Sequence, residues 1–170
     1  MIRGTFVPGW FNTLRCYFKY RSIVSPRAEV DVSPLMSIGE GSRISSFSQI
    51  KARHGELRMG RKVAVGVGCS FSPGEKGLII GDNCLFGPNV VIVSSSYRYD
   101  RIDVPVEEQG VNSKGIEIGE NVWIGGGCQI LDGAIIGNNV IAAAGSVVTG
   151  RIPDNAVIQG NPAREVFRRR

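Results

Sequence analysis

Residues 118–148 read IGENVWIGGGCQILDGAIIGNNVIAAAGSVV. An aliphatic side chain falls at every sixth position: Ile118, Ile124, Ile130, Ile136, Ala142 and Val148. Glycine follows Ile118, Ile124 and Ile136, and four residues after an aliphatic position stands a small or β-branched one (Val122, Cys128, Ala134, Val140, Ser146). A period of six matches neither the 3.6 of a helix nor the 2 of an alternating strand. It fits a short parallel strand followed by a sharp corner, three to each turn of a triangular coil. The aliphatic residue points inward, glycine permits the backbone of the corner, and the small residue fits the tight interior beside it. Each coil then buries against the next what it could not bury alone.

Upstream the same period runs through Val32, Ile38, Ile44 and Ile50, then Met59, Val65 and Phe71, then Ile80, Phe86 and Ile92. Sixteen positions in all make a little over five coils. Ile50, Phe71 and Ile92 are 21 residues apart, one 18-residue coil plus three, and a longer step leads from Ile92 to Ile118. The insertions, around 52–56, 73–77 and 94–115, therefore leave from one corner of the prism. The long one carries Tyr97, Tyr99, Asp100, Asp103, Glu107 and Glu108. Loops set on one edge of a rigid scaffold are where function concentrates. The expected organisation is an N-terminal segment over 1–27 and an all-β, parallel β-helix solenoid over 28–170, with a long protruding loop at 94–115.

The chain has 170 residues, the size of one domain, with 42% apolar and 21% charged side chains, which excludes wholesale disorder. Its 23 glycines are about twice the usual share. No apolar run reaches the roughly 18 residues of a membrane span. The N-terminus lacks the apolar centre of a signal peptide, so the sequence predicts a cytoplasmic protein. Net charge is +5, but residues 1–27 hold five basic groups and no acid, and residues 164–170 hold four arginines against Glu165. The stretch between them is net acidic. A nucleic-acid binder would carry its basic face on the fold itself, so this distribution suits a phosphorylated small molecule or an anionic membrane surface instead.

After Pro8, the residues Trp10, Phe11, Leu14, Tyr17 and Phe18 fall at helical spacing, with Arg15 and Lys19 on the other side. Two readings of this short helix stand side by side: a cap on the first coil, or a peripheral membrane contact through 8–21. Cys69, Cys84 and Cys128 occupy the small interior position of their hexamers, which reads as structural, reduced thiols.

The repeat resembles the hexapeptide-repeat acyltransferases, in the branch of maltose, galactoside, xenobiotic and surface-polysaccharide acetyltransferases. The resemblance spans roughly 28–165. It is most specific in Ile118-Gly-Glu-Asn-Val-Trp-Ile-Gly-Gly-Gly, Ile130-Leu-Asp-Gly, Ala143-Ala-Gly-Ser-Val-Val-Thr and Gly160-Asn-Pro-Ala-Arg164. It implies a left-handed parallel β-helix, an exception to the usual right-handed crossover. It also implies a homotrimer using acetyl-CoA, with active sites shared between neighbouring subunits. Carried over by position, the cofactor surface falls on Trp123, Gly126, Ala144, Thr149 and Arg164. Gly126 and Ala144 lack bulk that would obstruct a pantetheine arm, Thr149 offers a hydrogen bond, and Arg164 suits phosphate.

Attack of a sugar hydroxyl on a thioester needs a general base, usually histidine. The family places it in the long loop as Asn-His-x-x-Asp. Here the run is Ser96-Tyr97-Arg98-Tyr99-Asp100, with Tyr97 at the histidine position. Tyrosine, with an ordinary pKa near 10, is a poor base at neutral pH. Four explanations compete. The acceptor is an amine, which needs less activation; or His54, the only histidine, serves from the same corner two coils away; or Tyr97 or a loop carboxylate substitutes; or catalysis is lost and the protein is a binding or scaffolding trimer. A single histidine cannot build the three-histidine metal site known on this fold, so no metal is expected. The expected function is an acetyl-CoA-dependent acetyltransferase acting on a sugar or nucleotide-sugar, at a hydroxyl or amino group, in bacterial surface polysaccharide biosynthesis.

Overall fold

Each hexamer becomes a strand of two or three residues and a corner. The computed structural model describes residues 9–170. Strands Ile23–Val24, Arg43–Ile44, Ala64–Val65, Leu85–Phe86, Trp123–Ile124, Ile141–Ala142 and Ala156–Gly160 stack in parallel as a first face. A final antiparallel strand, Ala163–Arg168, folds back on Ala156–Gly160. Glu29–Val30, Gln49–Ile50, Ser70–Ser72, Val91–Val93, Gln129–Leu131 and Val147–Val148 make the second face. Met36–Ile38, Leu57–Met59, Leu78–Ile80, Ile116–Ile118, Ile135–Ile136 and Arg151–Ile152 make the third. The chain visits first, second and third faces in turn, giving a left-handed parallel β-helix of six coils and one further rung.

Fifteen of the sixteen hexamer positions are buried, and Ile50, Ile92, Ile124, Ile130 and Val148 have no exposed surface. Each fully buried aliphatic side chain contributes about 1.5–3 kcal/mol. The exception is Val32, which packs only partly against the core. The inward place in that rung belongs to Val30, paired in register with Ile50. Thus the first coil also carries extra residues at the corner that holds the later insertions, and the period read through Val32 is out of step there. The first strand, Ile23–Val24, lies ahead of the boundary expected at residue 28.

The small interior residues do more than fit. Ser42 Oγ donates to Gly60 O at 2.9 Å and Ser48 Oγ to Gly66 O at 2.9 Å. Cys69 Sγ donates to Gly87 O at 3.2 Å, Cys84 Sγ to Gly119 O at 3.1 Å and Cys128 Sγ to Ala143 O at 3.1 Å. Each gives a hydrogen bond to a corner carbonyl of the next coil, a group the ladder along the faces does not reach; at Ala143 O the Ser146 hydroxyl, at 2.6 Å, joins it. Burial pushes the Cys84 thiol up to about 11, and raises those of Cys69 and Cys128. All four cysteines are free.

Helix α1, Gly9–Tyr20, closes the open end of the first coil. Thr13 Oγ1 donates to Val24 O at 2.9 Å and the Tyr20 hydroxyl to Met36 O at 2.8 Å, both on edge strands with no coil beyond them. Cys16, fully buried, joins the core between them. The aromatic stripe is not the docking face. Trp10, Phe11, Leu14, Tyr17 and Phe18 are all exposed.

Candidate active site

The insertions at 52–56, 73–77 and 94–115 all join the second face to the third, so they stack along one edge as the spacing of Ile50, Phe71 and Ile92 requires. The stems of the long loop are tied to its neighbours on both sides. Below, the Ser94 hydroxyl, fully buried, accepts the Gly74 amide at 2.7 Å. Ser113 Oγ donates to Ser94 O at 2.7 Å and accepts the Lys76 amide at 3.1 Å. Above, the Asp132 carboxylate accepts the amides of Lys114, at 2.8 and 3.0 Å, and of Gly115, at 3.1 Å. The loop begins as a two-stranded antiparallel ribbon, Ser96–Tyr97 against Val111–Asn112. Beyond it Gln109 braces the turn, its amide donating to Arg101 O and Val104 O at 2.7 and 2.8 Å.

Between this ribbon and the coils above lies a cleft of about 690 Å³. Its loop wall is Ser95 through Asp100 with Asn112 and Lys114; its coil wall is Val93, Leu131, Asp132 and Thr149. Hydroxyls, an amide, carboxylates and two aromatic rings line it together, the mixture that suits a polyhydroxylated ligand with one apolar face. Arg98 Nε lies 3.8 Å from Asp100 Oδ1, both side chains more than half exposed.

The structure brings Tyr97 and Thr149 into this one cleft. His54 is exposed in the turn 51–56 on the same edge, two coils lower, and does not line it. Of the loop carboxylates only Asp100 does; Asp103 is engaged by Arg101 at 2.6 Å, whose guanidinium lowers its pKa. Gly126 and Ala144 sit on successive coils at the opposite edge of the second face, where the Gly145 amide donates to Gly126 O at 2.9 Å. On this ledge a Cβ on the neighbouring Gly127 or Gly145 would meet nothing within 4 Å, whereas one on Gly126 would meet Pro88 at 3.2 Å. The second face between ledge and cleft presents Gln129 and Val147 outward. Trp123, 50% exposed, projects from the first face, stacked in register between Leu85 and Ile141. Arg164 is exposed on the terminal strand, its Nη1 bonded to Ala163 O at 3.0 Å. Lys114, Asn112 and Asp132 went unassigned in the sequence; the quoted Ile130-Leu-Asp-Gly held Asp132, but its role appears only once the loop stem is seen against it.

A prism of hexapeptide coils with one loop-bearing edge defines the fold class, the left-handed parallel β-helix. Residues 115–150 match the family model for bacterial transferase hexapeptide (six repeats), and residues 77–95 that for the hexapeptide repeat of succinyl-transferase. The chain is 32% identical over 134 residues to the probable acetyltransferase Rv3034c of Mycobacterium tuberculosis, covering 79% of this chain and 44% of that protein. A maltose O-acetyltransferase from Clostridium difficile 630 superposes with a TM-score of 0.60 at 32% identity, over 86% of this chain and 66% of that one. A variant of AntD, an N-acyltransferase from Bacillus cereus crystallised with dTDP and coenzyme A, shares the fold at TM-score 0.80 and 19% identity, over 92% and 88% of the two chains. The chain spans about half or less of the length of the curated relatives it matches. It belongs to the hexapeptide-repeat acyltransferase family.

Proposed function

We propose that the protein is an acetyl-CoA-dependent acetyltransferase that modifies a sugar or nucleotide-sugar on its way into a bacterial surface polysaccharide. One observation carries this reading: the polar and aromatic cleft at one edge of the second face and the small-residue ledge of Gly126, Gly127, Ala144 and Gly145 at the other edge frame a single strip of surface. The ledge residues fit a pantetheine arm because they add no side chain between it and the backbone amides. Thr149 marks where that arm would meet the cleft, and Arg164 with Arg169 and Arg170 supplies positive charge for phosphate, Arg168 being paired with Glu165 at 2.7 Å. Acetyl-CoA brings an activated thioester; the protein's part is to hold an acceptor in the cleft against it and to remove one proton. The acceptor oxygen or nitrogen bonds to the carbonyl carbon, the carbon–sulfur bond breaks, and sulfur leaves as a thiol.

The cleft lining contains no imidazole, which favours an amino group as acceptor, since a neutral amine needs no strong base. The O-acetyltransferase relative at 32% identity favours a hydroxyl. The outward column of Ala64, Leu85, Trp123, Ile141 and Val157 on the first face supports association into a trimer, through which a neighbour would complete the site.

Titration calorimetry with CoA, followed by thiol release from acetyl-CoA across a panel of hydroxyl and amino nucleotide-sugars, tests the reading. Expected are CoA binding and acceptor-dependent thiol release from a trimer that sediments as one species. A well-folded protein that binds neither CoA nor acetyl-CoA overturns it.

A further inference from the structure

Helix α1 has three sectors. At 100° per residue, Thr13, Cys16 and Tyr20 cluster on the side that docks on the prism. About 120° round from them lie Trp10, Phe11, Leu14, Tyr17 and Phe18, exposed by 60, 49, 47, 58 and 79%. Arg15 and Lys19 occupy the arc beside this apolar sector, both exposed. The burial demand of the fold is therefore met by one sector, and a Trp, a Tyr, two Phe and a Leu stay about half exposed or more, the rings touching one another as Trp10 with Phe11 and Tyr17 with Phe18. Large aromatic groups left in water together on one helix mark an interaction site.

We infer that this sector is an interfacial anchor for an anionic lipid bilayer. Charge decides the occupant. Residues 1–27 contain Arg3, Arg15, Lys19, Arg21 and Arg27 and no acidic side chain. Of these, Arg21 is paired with Glu40, at 3.2 Å, while Arg15 and Lys19 flank the aromatic sector. Two copies meeting through this face would bring arginine and lysine against arginine and lysine, with no acid in the segment to offset them. An anionic headgroup layer offsets them directly, the lysine and arginine stems reaching up while the rings sit at the acyl boundary. Trp and Tyr are the residues that prefer that depth. No helix among the described residues is long and apolar enough to cross a membrane, so this contact is peripheral, lying in the plane. Because the helix closes the end of the first coil, the bilayer would face the base of the prism, with the cleft several coils above it.

Flotation of the full chain with vesicles of phosphatidylcholine alone, and of phosphatidylcholine with about a third phosphatidylglycerol, tests this. Emission from Trp10 is read in a Trp123→Phe background. The expected result is recovery with anionic vesicles, a blue shift of Trp10, and loss of both at high salt. Phe11→Ser/Leu14→Ser/Phe18→Ser, at three exposed positions, should leave thermal unfolding unchanged and lower partitioning at least about tenfold. Arg15→Glu/Lys19→Glu should lower it by about as much on anionic vesicles only. Failure of the unaltered chain to float with anionic vesicles overturns the inference, as does a triple-serine variant that floats equally well. A protein that does not float but loses a higher oligomer on the triple substitution assigns the face to a second copy, and overturns it too. None of these readouts depends on transferase activity.

Discussion

Ser94→Ala removes one oxygen and disconnects the long loop from the coil beneath it. The Ser94 hydroxyl is fully buried and is the acceptor for the Gly74 amide at 2.7 Å; Gly74 is itself buried. Alanine leaves that amide without a partner in a place water does not reach, which costs about 1–3 kcal/mol. For a chain of this size each kcal/mol moves the melting temperature by about 2–4 °C. Taking the middle of the range, Ser94→Ala should melt about 4–8 °C below the parent. Ser96→Ala, exposed two residues further along, should melt with it. The effect should also be local in origin. Hydrogen exchange followed by mass spectrometry should show faster labelling of peptides covering 73–77 and 94–115, with the strands of the second face unchanged. Ser113→Ala, which loses its bonds to Ser94 O and from the Lys76 amide, should add less to Ser94→Ala than it costs alone, because both hydroxyls serve one network. A Ser94→Ala protein melting within about 1 °C of the parent, with 73–77 still protected, would refute the claim that this network holds the loop.

A Cβ at Gly125 would lie 2.6 Å from the Ala144 amide nitrogen, so Gly125→Ala should destabilise by about 3 kcal/mol; Gly127→Ala, at φ +69° with open space around it, should cost only about 1 kcal/mol, both read by urea unfolding. The Arg61 amide and then its guanidinium hold the Asp82 carboxyl below its ordinary pKa. A depressed folded-state pKa gives stability that is present above the unfolded value, about pH 4, and is lost as pH falls below it. Asp82→Asn should therefore lower the unfolding midpoint at pH 7 and have little effect near pH 2. Because burial raises the Cys84 thiol to about 11 and all four cysteines are buried, a disulfide reagent at pH 8 should label none in the native protein and four after unfolding. Tyr97→His should raise the rate with hydroxyl acceptors at pH above about 6.5, where imidazole is neutral, and leave amine acceptors unaffected; equal gains with both would argue against a base at this position.

The prism was legible because a six-residue period has one common structural solution, and Ile118 to Val148 keep it without interruption. The edge carrying the insertions was legible by arithmetic, since Ile50, Phe71 and Ile92 differ by one coil plus three. In the first coil the arithmetic failed. Val30 and Val32 are both valines, and a period alone does not choose between them; the ladder to Ile50 does. The same limit applies in the site. Tyr97 was visible as the residue where a histidine was expected, but Asp132 and Ser113 are joined to the loop by backbone amides, and an acceptor for a backbone amide leaves no signature in composition. The serines and cysteines inside the corners were read by size, although their hydrogen bonds to corner carbonyls explain equally well why alanine does not fill every one of those positions.

Helix α1 shows most clearly where periodicity stops. Spacing says which side chains share a face, and Trp10, Phe11, Leu14, Tyr17 and Phe18 do share one. It does not say which face the rest of the chain will take. The end of a solenoid is an edge of unpaired backbone, and what such an edge lacks is hydrogen-bond partners before it lacks apolar cover. Val24 O and Met36 O point out of the first coil, and the groups that meet them are the Thr13 and Tyr20 hydroxyls. Phe11, Leu14 and Phe18 have no donor to offer, and the Trp10 indole and Tyr17 hydroxyl sit on the exposed side with them. Docking through Thr13, Cys16 and Tyr20 satisfies both carbonyls, which unpaired and buried would cost about 1–3 kcal/mol each, and still fills the core with Cys16. The cap and the outward aromatic surface are thus consequences of the same choice: the face that carries Thr13 and Tyr20 meets the edge, and the face that carries Trp10, Phe11, Leu14, Tyr17 and Phe18 is left outside.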